Sequence, residues 1–120
     1  MNFIQKIEAQ WAQSNSLLCV GLDPDLNRIP SHLKEHAEPI YQFCRAIVDA
    51  THDLVCAYKP QIAYFAGSAA EDQLHKLMEY IRFEYPHIPI ILDSKRGDIG
   101  STAAMYAKEA FDRYQAHAVT

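Results

Sequence analysis

The sequence has 120 residues, of which 49% are hydrophobic and 22% charged, with four glycines, six prolines and a net charge of −4. That profile fits a soluble globular protein and excludes collagen-like and disordered chains. It offers no basic face for nucleic acid, and its apolar runs fall far below the ~18 residues that span a membrane.

The N-terminal stretch MNFIQKIEAQWAQ carries polar residues every few positions, unlike the continuous apolar segment of a secretory signal. Phe3, Ile4, Ile7 and Trp11 fall at helical spacing and predict a helix over 2–14. LLCVGLD (17–23) is a short apolar run that stops at Asp23-Pro24, where proline forbids a continuing ladder. Residues 24–38 read as a polar loop with one turn of helix. Ile40, Phe43, Cys44, Ile47 and Val48 then form one stripe of a helix over 39–52.

The pattern repeats. LVCAYKP (54–60) is a second apolar run, ending in Lys59-Pro60. A helix follows with the stripe Leu74, Leu77, Met78 and Ile81, and Ser68 and Glu71 are spaced as a capping box at its start. A third run occupies 88–95. Ala107, Ala110, Phe111 and Tyr114 then mark one side of a helix, and AHAVT (116–120) begins a fourth strand.

The order is a helix, then strand and helix three times, then a strand. Repeats of about 28–37 residues predict parallel βα units with right-handed crossovers. GLDPDL places an acid where a dinucleotide fold needs glycines, so the Rossmann reading is weak. The expectation is a single α/β unit over 1–120: the first three and a half βα units of a (β/α)8 barrel, a half barrel whose sheet leaves its inner face uncovered. A self-sufficient four-stranded α/β domain is the alternative.

Each complete strand ends in an ionisable residue: Asp23, Lys59, then Asp93 and Lys95. Barrel active sites lie at these C-terminal ends. Asp93 and Lys95 are two apart and point to the same side in a strand. Asp98 lies just beyond Gly97, which permits a tight turn. A lysine between carboxylates stays protonated, suited to act as an acid or to face developing negative charge rather than to form a Schiff base.

DSKRGD at the third strand end resembles the D-x-K-x-x-D signature of the orotidine 5′-phosphate decarboxylase superfamily. LDSKRGDIGSTA, with VGLDPD and AYKPQIAYF, is similar to one subgroup of the decarboxylases proper. The resemblance implies a (β/α)8 barrel of roughly twice this length, with the substrate phosphate held by residues of the other half and the isolated fragment inactive. It implies cofactor-free, metal-free decarboxylation of orotidine 5′-monophosphate to UMP in de novo pyrimidine biosynthesis. Lys95 then stabilises and protonates the C6 carbanion, and Asp93 lies against the departing carboxylate. Lys59 pairs with Asp93 and binds a ribose hydroxyl, and Asp23 binds ribose. Asp98, with Ile99 and Thr102 beside it, reaches the neighbouring site of a homodimer.

Two other readings stand beside this one. Mg2+-dependent keto-sugar-phosphate decarboxylases and aldolases share D-x-K-x-x-D, although the KRGDIGST continuation and Lys59-Pro60 favour the pyrimidine enzyme. An inactive half-barrel module is the non-enzymatic alternative. Cys19, Cys44 and Cys56 make an odd count without CxxC and predict free thiols in a reducing cytoplasm. His32 and His36 sit at i, i+4 without an evident third ligand and read as solvated. Arg96 reads as a surface charge, and Tyr58, Tyr64 and Phe65 as packing.

Overall fold

The computed structural model describes all residues, Met1–Thr120. The chain runs α1 (Phe3–Ser14), β1 (Cys19–Leu22), a 3-10 turn (Ser31–Leu33), α2 (Pro39–Thr51), β2 (Ala57–Pro60), α3 (Ile62–Ala66) and α4 (Glu71–Glu84). It continues through β3 (Ile91–Leu92), α5 (Gly100–Lys108), a π-helical turn (Glu109–Arg113) and β4 (Ala118–Val119).

All strand pairs are parallel. β1 pairs with β2 from Cys19↔Ala57 to Leu22↔Pro60, and β3 with β4 through Ile91↔Ala118 and Leu92↔Val119. Single bridges, Tyr58↔Ile90 and Gln61↔Asp93, join the two pairs. The Tyr58 amide donates to Pro89 O at 3.1 Å and the Asp93 amide to Pro60 O at 2.9 Å. Each strand therefore neighbours its successor in the chain, without the reversal of order that marks a doubly wound sheet.

Strand alternation gives the sheet two unlike faces. Val20, Leu22, Tyr58, Ile90 and Leu92 meet α2 and α4 in one core. The α4 stripe Leu74, Leu77, Met78 and Ile81 is fully buried there, as are Cys44 and Val48 of α2. The other face presents Cys19, Gly21, Lys59, Asp93 and Thr120. α1 closes its N-terminal end: Ile7 packs against Cys56 and Ala57, with Phe3 and Ile91 beside them. Gln10 Nε2 donates to Val55 O at 3.0 Å and Lys6 Nζ to Pro86 O at 2.7 Å, tying α1 to the loops that enter β2 and β3.

Several expectations change. The predicted α1 stripe is only partly used, because Ile4 and Trp11 are exposed while Gln10 is buried. The capping box lies elsewhere: Asn2 and Gln5 cap α1 reciprocally, whereas the N-cap position of α4 is Ala70, which has no side chain able to cap it. Ser68 instead closes α3, its amide donating to Phe65 O at 3.2 Å. The α5 stripe also shifts. The π-helical turn inserts extra residues per turn, so Ala110 and Tyr114 are buried but Ala107 and Phe111 are exposed. His32 and His36 are both exposed, and the 3-10 turn ends at Leu33, so they share no helical face.

Candidate active site

The site face is organised around one carboxylate. Asp93 follows β3 directly and is only 4% exposed. Burying a charge is costly unless partners replace its water. Four side chains from three strand ends do so. Lys59 Nζ donates to Oδ2 at 3.1 Å and Gln61 Nε2 to the same oxygen at 3.4 Å. Lys95 Nζ and Thr120 Oγ1 donate to Oδ1, the latter at 3.0 Å.

The strand ends explain this convergence. Lys59 and Gln61 are two apart at the end of β2 and point to the same side. The bridge Gln61↔Asp93 sets the end of β3 level with them. Thr120 continues the alternation from Ala118 in β4. Lys95 arrives differently from the expectation of a continuing strand. β3 has already ended, and Lys95 adopts φ +50°, a left-handed conformation that costs an ordinary residue ~1 kcal/mol or more. Its amide donates to Thr120 O at 3.0 Å, and the Ser94 hydroxyl donates to the same carbonyl at 3.2 Å.

The charges reinforce one another. The Lys95 bond holds the Asp93 carboxyl well below the usual carboxylate range; burial opposes it, and the Lys59, Thr120 and Gln61 bonds assist it. In return the bond to Asp93 raises the Lys59 ammonium above its ordinary value, helped by the charges of Asp93 and Asp23 and opposed by desolvation. Lys95 remains accessible, with 68% of its side chain exposed, so it can meet a ligand while anchored to Asp93.

The other predicted residues are placed unequally. Asp23 is exposed at the end of β1, on the edge of a cavity of about 370 Å³ shared with Arg28, Phe43 and Tyr64. Asp98 does not join the cluster: its Oδ1 accepts from the neighbouring Ile99 amide at 2.7 Å and it forms no ion pair. Ile99 and Thr102 are exposed beside it, Ile99 by 85%. Gly97 has no positive φ; the left-handed positions around it are Lys95 and Gly100. Arg96 pairs with Glu109 and stacks over Tyr106 at 5.3 Å. Tyr58 and Phe65 are buried, whereas Tyr64 is 40% exposed. The three cysteines are free, and burial pushes the Cys44 thiol up to about 12. Sequence reasoning missed Gln61 and Thr120; their signal is the two-residue period that links them to Lys59 and Ala118.

Residues 16–120 match the family described as "Orotidine 5'-phosphate decarboxylase / HUMPS family". An orotidine 5′-phosphate decarboxylase of Ralstonia nicotianae is 65% identical over 120 residues, covering all of this chain and 44% of the relative. One from Ralstonia pickettii is 64% identical with the same coverage. The chain thus spans a little under half the length of these relatives. The structure of Leishmania donovani OMP decarboxylase superposes with a TM-score of 0.81 at 33% identity, over 99% of this chain and 43% of that one. A four-donor carboxylate at the end of a parallel strand, the D-x-K-x-x-D spacing and these matches together show that the chain belongs to the orotidine 5′-phosphate decarboxylase / HUMPS family.

Proposed function

We propose that this chain supplies the catalytic face of an enzyme that converts orotidine 5′-monophosphate to UMP and CO2 without a cofactor, the closing step of de novo pyrimidine synthesis. The observation that carries this reading is Asp93, buried between the ammonium groups of Lys59 and Lys95. In the reaction the bond from C6 to the carboxylate breaks, its electron pair stays on C6, and CO2 leaves. The Lys95 ammonium faces the developing charge and then gives its proton to C6, regaining one from water. A fixed cation aimed at charge that appears only in the transition state accelerates the step by differential binding. Asp93 holds Lys95 in position and lies against the departing carboxylate.

Lys59 and Asp23 bind the ribose hydroxyls. The register Gly21↔Lys59 and Leu22↔Pro60, which brings the ends of β1 and β2 side by side, supports this reading. Asp98, Ile99 and Thr102 serve the site of a second copy in a homodimer; their exposure, and the bonding of Asp98 to its neighbour's amide rather than to the Asp93 cluster, support this reading. The chain forms the N-terminal half of one (β/α)8 barrel domain, supported by the sequential strand order and the open site face. The remaining half holds the substrate phosphate. Free thiols and the absence of a disulfide support a cytoplasmic setting, and the net charge of −4 speaks against a nucleic-acid partner. No helix is long and apolar enough to cross a membrane.

The test is turnover by the full-length protein. UMP formation unchanged by EDTA is the expected result. Absence of UMP formation overturns the proposal, and chelator-sensitive activity on a keto-sugar phosphate replaces it with the Mg2+-dependent chemistry of the same superfamily.

A further inference from the structure

The reaction assigns work to the two lysines and to Asp93, but it leaves Thr120 without a role. Thr120 touches both halves of the catalytic pair. Its hydroxyl donates to Asp93 Oδ1 at 3.0 Å. Its carbonyl accepts from the Lys95 amide at 3.0 Å and from the Ser94 hydroxyl at 3.2 Å. The second pair of bonds spans the segment in which Lys95 takes its left-handed conformation.

We propose that Thr120 is a positioning residue for decarboxylation, a clamp at the end of β4 that fixes the Asp93 carboxylate with its side chain and the Lys95 backbone with its carbonyl. This inference rests on the proposed reaction and deepens it. Asp93 Oδ1 accepts from both Lys95 and Thr120. A free carboxylate can rotate and carry its bound ammonium with it. Lys59 and Gln61 hold Oδ2 from the end of β2; the Thr120 donor at the end of β4 fixes the second oxygen, the one that carries Lys95, and so holds the Lys95 ammonium at one place on the site face. Small displacements of a reacting group are expensive in rate. The clamp depends on strand pairing: Thr120 reaches Asp93 because β4 lies beside β3, with the Thr120 amide donating to Leu92 O at 3.1 Å. His117 helps set that pairing by accepting the Ile90 amide on Nδ1 at 2.9 Å.

The hydroxyl can be removed without disturbing the strand. Thr120→Val keeps the shape, the β-branch and the backbone carbonyl and deletes only the donor; Thr120→Ser keeps the donor. In the full-length enzyme Thr120→Val is expected to lose about tenfold in kcat, a ~1.4 kcal/mol change in the barrier, with KM within about twofold. Thr120→Ser is expected to recover most of that loss. In Thr120→Val, Asp93 has lost a donor that favours its ionised form. A 13C NMR titration of the Asp93 carboxyl provides a readout independent of turnover: protonation begins at higher pH in Thr120→Val than in wild type or Thr120→Ser. Equal titrations and equal kcat in all three proteins overturn the clamp. A wild type with no decarboxylase activity overturns the proposed reaction instead. In that case the titration still decides whether Thr120 holds Asp93, and a merely structural Thr120 leaves it unmoved.

Discussion

Lys59 donates to Oδ2 of Asp93 at 3.1 Å and leaves Oδ1 to Lys95 and Thr120. The two cations therefore do not compete for one oxygen. Lys59 shows about a third of its side chain to solvent and Lys95 about two thirds. Lys59 is thereby suited to organise the carboxylate, and Lys95 to approach a ligand. That division underlies the predictions for both members of the Asp93–Lys95 pair.

On the proposed mechanism, Lys95→Ala in the full-length protein removes both the cation facing C6 and the proton donor. Each such contribution is worth ~10²–10⁴ in rate, so decarboxylation should fall by at least ~10⁴-fold. Binding of UMP, measured by calorimetry, should weaken far less, since Lys59 and Asp23 remain. Near-normal product formation by this variant removes Lys95 from the mechanism.

Asp93→Asn tests the electrostatics of the cluster through stability. The folded-state pKa of Asp93 lies below its unfolded value of ~3.9. Its ionised form therefore contributes stability that is complete above ~pH 4 and lost as pH falls toward the folded value. Wild type should be the more stable protein in urea at pH 7, and the difference should shrink at pH 3. A difference that stays constant over this range contradicts the assigned role of the Lys59 and Lys95 bonds.

Much of this architecture is legible in the sequence, and the parts that are not have identifiable causes. The α2 and α4 stripes are read correctly because 13 and 14 residues carry several turns of a 3.6 period against one core. α3 spans only five residues and has no period to detect. Its presence moves Ser68 from the start of the next helix to the end of this one. The π-helical turn breaks the period that placed Phe111 in the core. The Asp93–Lys95 pair is visible as a spacing, although its geometry comes from a left-handed residue rather than a continuing strand. Gln61 and Thr120 were not found because their importance lies in register between β2, β3 and β4, which a single sequence does not state.

His117 predicts a separate acid response. Its Nδ1 accepts the Ile90 amide, which requires a neutral ring with the proton on Nε2. Burial, with Lys6 and Arg82 nearby, lowers its pKa to about 4, against ~6.5 unfolded. Between these values the unfolded chain binds a proton that the folded chain refuses. Stability should therefore fall as pH drops from ~6.5 to ~4, and this contribution should level off below. His117→Ala should be less stable at pH 7, because the Ile90 amide loses its acceptor, and it should lose this one-proton slope. Urea titrations across the window compare the two proteins, and an unchanged slope in the variant excludes His117 as its source.

Gly97 and Gly100 offer a paired test of the loop that leads into α5. A Cβ at either position meets nothing within 4 Å, so sterics do not distinguish them. Only Gly100 has positive φ, at +56°. An alanine there must enter the left-handed region, which costs roughly 1 kcal/mol or more, whereas at Gly97 it replaces a flexible residue in an ordinary conformation and restricts the unfolded chain. Gly100→Ala should lower the urea midpoint, while Gly97→Ala should leave it unchanged or slightly raised. Because both glycines flank Asp98, decarboxylase assays on the two variants separate backbone shape from stability. If loop conformation governs where Asp98 and Ile99 sit, Gly100→Ala loses activity at temperatures where it remains folded and Gly97→Ala retains it. Equal losses in both variants would mean that the left-handed turn at Gly100 does not set their position.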